Sequence, residues 1–155
     1  GEGLYRRSLY TYWKRTAPAP VMLALDASKR DVCTVKRERT SSPIQAIVLL
    51  NDPQMLEASR VLAESLLNQH NSPEMMIESL LRKATSRSPT ELEMSELLQL
   101  YQDLQRDFLA APDEAKTVAT AGEKEPQADL DPVDVAAMTT VVSTVLNLDA
   151  SLYKR

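Results

Sequence analysis

The sequence predicts a mainly α protein: an irregular or short-stranded N-terminal arm followed by a bundle of about five helices. Three observations lead there. Five prolines stand directly after a serine or an aspartate, apolar residues recur at helical spacing behind them, and the 155 residues include only Gly1, Gly3 and Gly122 as glycines. Without glycine the tight turns of a β-sandwich and a Gly-rich phosphate loop are both hard to build. An aromatic content of 5% points the same way, away from an all-β fold. A hydrophobic content of 43% is enough for one domain with a real core.

The helix starts follow in order. Ser42-Pro43-Ile44-Gln45 reads as a capping box, with Ser42 as N-cap, Pro43 at the first helical position and Gln45 reaching back. The helix behind it (Ile44, Ile47, Val48, Leu49, Leu50) is apolar nearly all round and is expected to be buried. Asp52-Pro53 opens a helix whose Met55, Leu56, Leu62, Ala63, Leu66 and Leu67 fall on one face. Ser72-Pro73 opens the next, with Met76, Ile77, Leu80, Leu81 and Ala84. Ser88-Pro89-Thr90-Glu91 repeats the capping device before a longer helix carrying Leu97, Leu100, Tyr101, Leu104 and Phe108. Asp131-Pro132 starts the last, where Val135, Met138, Val142, Val145 and Leu146 are rich in β-branching but the cap and the length favour a helix. Each polar N-cap accepts from a backbone N–H that has no partner in the helix, and proline has no N–H to leave unpaired there.

Two stretches lack this grammar. Residues 110–130 hold almost no large apolar side chain; Pro112-Asp113-Glu114 can open a short helix, and a mobile surface loop is expected near Gly122 to Asp129. Residues 1–42 form a basic arm, set against a helical bundle at 43–155. Pro18 and Pro20 break any regular element, and Ser8 to Trp13 and Val32 to Lys36 read either as short strands or as an arm laid over the bundle. The arm holds nine Lys/Arg against four Asp/Glu, a net +5 in a chain of −4, which leaves −9 for the rest. Either arm and bundle neutralise each other, or an anionic partner binds the arm.

Much chemistry is excluded. His70 is the one histidine, so a Ser-His-Asp or Cys-His pair has a single candidate. It sits among Asn68, Gln69 and Asn71 and reads as a polar helix terminus. One His and the lone Cys33 cannot supply a His/Cys metal site, no internal disulfide can form, and there is no CxxCH for covalent haem c. The six methionines read as core filler rather than as axial ligands. No catalytic residue is assigned and no metal or cofactor is expected within the chain; nothing marks it as a self-sufficient enzyme. Its longest apolar run, Ala46 to Leu50, is far too short to span a membrane. The start at Gly1, with no signal peptide, reads as an excised or processed fragment.

The candidate binding residues are Arg6, Arg7, Arg30, Arg37 and Arg39, whose planar guanidinium forks match carboxylates, sulfates and phosphates. Trp13 lies beside the first pair and offers a stacking face; Asn51 and Asp52 are polar residues close to the capping box. Basic plus aromatic residues suggest nucleic acid, but a pI near 5.1 argues against it, because phosphate-driven binding needs a broad positive surface.

Several stretches together resemble a known family. They are Arg6 to Thr16, Ala24 to Ala27, Cys33 to Thr40, Pro43 to Ala46 and Leu49 to Pro53, followed by Arg87-Ser88-Pro89-Thr90 with Glu93, and by Leu146 to Asp149. In this order and spacing they resemble the planctomycete-type C-terminal domain of unknown function. That family occurs in long exported proteins downstream of a planctomycete cytochrome C domain. Ser41-Ser42 departs from the expected Asn-Thr but keeps the capping hydroxyl, and Ala150-Ser151-Leu152 replaces a more usual acidic–aromatic pair. The resemblance implies a periplasmic or cell-surface location, haem c in upstream domains of the parent rather than here, and a chain that is only the latter part of the domain. It supplies no reaction. The expected function is therefore a non-catalytic packing or interaction module whose partner is the upstream part of the parent. The alternative is part of a site for an anionic polysaccharide built around the arginines.

Overall fold

Proline-led capping organises the chain as expected. The computed structural model describes residues 5, 11–14, 16–28, 33, 35, 40 and 42–152. Among them are eight helices and no strand: α1 (Pro20–Ala24), α2 (Pro43–Asn51), α3 (Pro53–Gln69), α4 (Pro73–Thr85), α5 (Glu91–Ala110), α6 (Pro112–Ala119), α7 (Pro132–Leu146) and α8 (Asp149–Leu152). The protein is mainly α. The strands expected at 8–13 and 32–36 fall largely outside the described residues.

Two compact units divide between Asn51 and Asp52. In the first, α1 packs on α2. The burial expected of α2 is corrected. Gln45 and Leu49 are buried on one side, while Ile44, Ile47 and Leu50 are 64%, 59% and 45% exposed. A helix apolar all round needs two partners, and α1 covers one face only.

The second unit is built around α7, which packs against α3, α5 and α6, while α4 joins α3 and α5. Eight of its residues are buried, among them Val135, Met138, Val141, Val142 and Val145. They meet Ala63 and Leu66 of α3, Ile77, Leu80 and Leu81 of α4, and Leu97 and Tyr101 of α5. Each large aliphatic so buried contributes about 1.5–3 kcal/mol. The buried Thr139 hydroxyl donates to Val135 O at 2.6 Å, and Thr140 and Thr144 do the same one turn back. That back-bonding lets a threonine- and valine-rich segment run as a buried helix. Between α5 and α7, Gln105 Nε2 donates to Asp134 Oδ1 at 2.6 Å and to the Tyr101 hydroxyl at 3.1 Å. Burial, and then the Asp134 charge, raise the Tyr101 phenol above its ordinary pKa.

Asp52, Ser72 and Asp131 cap α3, α4 and α7 with their side chains. α5 starts two residues later than Ser88-Pro89 suggests. Thr90 is its N-cap, and Thr90 and Glu93 form the reciprocal capping box. Arg87 clasps the same Glu93 carboxylate with both guanidinium nitrogens, at 2.8 and 2.5 Å.

The expected loop at 110–130 is different in kind. Residues 112–119 form α6, whose Ala115 and Ala119 are buried. The segment that follows is pinned to a polar stripe of α3. Glu57 accepts from Glu123 N at 2.9 Å and Lys124 N at 3.2 Å. Fully buried Arg60 donates to Ala121 O at 2.8 Å, to Lys124 O at 2.5 Å and to buried Glu64. Gly122, at φ +100°, lets the chain turn against Glu57. A buried ion pair holds when its remaining donors and acceptors are satisfied, and here the loop backbone supplies them.

Candidate functional site

The polar constellation nearest the basic arm is a clasp at the end of α1. Asp26 takes φ +54°, while Ala27 N donates to Met22 O at 2.8 Å and Asp26 N to Leu23 O at 3.3 Å. This is a Schellman turn with aspartate where glycine is usual, and a short polar side chain tolerates that backbone. The carboxylate has its own use. Its Oδ2 accepts from Thr40 N at 2.8 Å, from Thr40 Oγ1 at 2.6 Å and from Gln45 Nε2 at 3.1 Å. The Thr40 hydroxyl, then the Thr40 amide, hold the Asp26 carboxyl below the usual carboxylate range.

Gln45 is the hub. Its Nε2 also reaches Thr40 Oγ1 at 3.0 Å, and its Oε1 accepts from Ser42 N at 3.2 Å, while Gln45 N lies 3.4 Å from Ser42 Oγ. The expected capping box is therefore present and is joined to Asp26. Asp26 and Thr40 are thereby joined to each other and to the first turn of α2.

The expected site residues have separate fates. Arg6, Arg7, Arg30, Arg37 and Arg39 lie outside the described residues. Trp13 is half-buried. Asn51 Nδ2 donates to Ile47 O at 2.8 Å and so closes α2. Asp52 accepts from Gln54 N at 2.8 Å and Met55 N at 3.3 Å and so opens α3. Both helix starts thus have side-chain acceptors of their own. The sequence reading found Gln45 as a cap but missed the clasp. Its signal was present: Asp26, Thr40 and Gln45 each belong to a different one of the stretches that carry the resemblance.

Elsewhere a shallow groove of about 380 Å³ runs along α4, lined by His70, Met75, Glu78, Ser79, Arg82 and Lys83. His70 is the C-cap residue of α3, as expected of a helix terminus. Arg82 pairs with Glu78 at 2.9 Å on the exposed face. Among the described residues no group of three or more His, Cys, Asp or Glu is placed to hold a metal ion, and no helix is long and apolar enough to cross a membrane. Cys33 is exposed. In the clasp, Asp26, Thr40 and Gln45 join the end of α1 to the first turn of α2.

The family described as PSD1, protein of unknown function (DUF1553), matches residues 1–101, about two thirds of the chain. The chain belongs to this family. The match covers the whole first unit and runs into α5. No curated protein and no solved structure matches the chain.

Proposed function

We propose that the chain is a non-catalytic packing and interaction module of a larger exported protein of a planctomycete-like bacterium, with haem c carried upstream. Its first unit docks against the upstream part of that protein. One observation carries this. Among described large hydrophobics, the first unit exposes nine (Tyr5, Tyr12, Val21, Leu23, Leu25, Val35, Ile44, Ile47 and Leu50) and buries only Leu49. The second unit, twice as long, exposes five. Isolated exposed aliphatics are ordinary, but this density marks a surface that another protein covers.

An anionic polysaccharide is less well supported. The helix starts it would use at α2 and α3 are already capped by Ser42 with Gln45 and by Asp52. To test docking, the upstream part of the parent is produced separately and titrated calorimetrically with this chain at low and high salt. Association is expected at both, faster at low salt. No association at either salt concentration rules docking out.

A further inference from the structure

We propose that residues 122–124 form a carboxylate receptor of main-chain amides, and that Glu57 of α3 is its resident ligand. The site lies in the second unit and is independent of the docking proposed above.

The receptor begins at Gly122. Its φ of +100° turns the chain so that the next two amides meet one carboxylate. Glu57 Oε2 accepts from Glu123 N at 2.9 Å, and Oε1 accepts from Lys124 N at 3.2 Å. Each oxygen therefore has an amide of its own. Successive amides that converge in this way make an anion-binding concavity, and a charged acceptor strengthens both bonds. The glycine also serves the approach of the ligand, because a Cβ at position 122 would stand 2.5 Å from Glu57 Cγ and Oε2.

The carbonyls of the same segment face the opposite charge. Arg60 donates to Ala121 O at 2.8 Å and to Lys124 O at 2.5 Å. Amides thus meet the acid and carbonyls meet the base, one turn apart on α3. No residue of 121–130 is buried, and Lys124 and Glu125 are exposed, so bonds to the main chain rather than buried side chains hold the segment. The chemistry selected is a carboxylate, whichever molecule carries it.

Chemical rescue in the full chain tests this. Glu57→Ala empties the receptor, and acetate has the carbon and carboxylate atoms that the substitution removes beyond Cβ. Hydrogen exchange at the Glu123 and Lys124 amides is expected to be at least about 10-fold faster in this variant. Sodium acetate should slow it again to a plateau, while sodium chloride at the same ionic strength should not. Wild type, with its receptor filled, should respond to neither. Should Glu57→Ala unfold in chloride, acetate is expected to refold it, as far-UV circular dichroism reads. Glu57→Gln is the second arm. It keeps the shape without the charge, so the two amides should exchange faster than in wild type. Acetate and chloride acting alike on Glu57→Ala would overturn the receptor. Wild-type exchange in Glu57→Gln would overturn its selectivity for a carboxylate.

Discussion

Replacing Gly122 by alanine tests whether the segment after α6 is a built part of the second unit. A Cβ at position 122 would stand 2.5 Å from both Cγ and Oε2 of Glu57 and 2.6 Å from its Cβ. Glu57 Cβ is fixed by the backbone of α3 and cannot yield, so either the loop lifts or the carboxylate swings away. Swinging away forfeits the bonds to Glu123 N and Lys124 N, each to a charged acceptor that is 7% exposed. At about 1.5 kcal/mol for each bond at the low end, and about 1 kcal/mol for alanine held at φ +100°, the substitution costs about 4 kcal/mol. That is a large share of the about 5–15 kcal/mol that holds a domain folded. Urea unfolding followed by far-UV circular dichroism should show the midpoint falling with the slope unchanged. The second arm of the experiment is Glu57→Gly. It removes the obstructing side chain including its Cβ, so Gly122→Ala made on top of it should cost only the backbone part, about 1 kcal/mol. A single substitution within about 0.5 kcal/mol of wild type, or a full cost that simply adds to that of Glu57→Gly, would refute the packing of Gly122 against Glu57.

Arg60→Met should destabilise the second unit by about 3–5 kcal/mol, because it leaves Glu64 buried opposite no guanidinium and two loop carbonyls without a donor; urea midpoints measure it. Glu93→Gln should cost about 1 kcal/mol at neutral pH, since the side chain is 28% exposed and solvent screens part of the Arg87 pair. Arg87, with the Thr90 amide, holds the Glu93 carboxyl at about 2 against an ordinary 4.5. That stabilisation is complete above pH 4.5 and disappears as pH falls towards 2, so wild type and variant should converge in acid-unfolding curves. Asp26→Asn should speed hydrogen exchange at the Thr40 amide. In the wild type that protection should hold above the ordinary pKa of 3.8 and fade as pH falls through the lowered native value.

What the sequence made legible was local. Asp52, Ser72 and Asp131 cap helices within three residues of themselves, so their pattern needs no knowledge of the fold. Thr90 displaced Ser88 because two devices overlapped in six residues and the one with Glu93 in reach won. The rest depended on distant partners. Glu57, Arg60 and Glu64 look like a solvated stripe of α3 until the segment 121–127 is laid over them, more than sixty residues on. Gly122, the one glycine beyond the first three residues, was the available hint that the backbone there does something a side chain forbids. The burial expected of Ile44, Ile47 and Leu50 failed because α1 packs on the other side of α2, where Gln45 and Leu49 are buried.

The same contrast bears on where function resides. Ordering a residue costs about 1–2 kcal/mol in backbone entropy, and burying a leucine returns about 1.5–3 kcal/mol. The second unit meets that cost with α7 and the side chains of α3, α4 and α5 that enclose it. Among its described residues the first unit buries Leu49 and Gln45 and is held by the hydrogen bonds of Asp26 to Thr40 and Gln45. In the docking proposed above, the partner that covers Ile44, Ile47 and Leu50 would add the apolar burial that the clasp does not provide. Affinity measured with this chain should accordingly rise when the clasp is strengthened and fall when Asp26 is lost, although Asp26 need not touch the partner. A loss of affinity in Asp26→Asn with an unchanged association rate would place the clasp in preorganisation; an equal affinity would show that the arm is ordered without it.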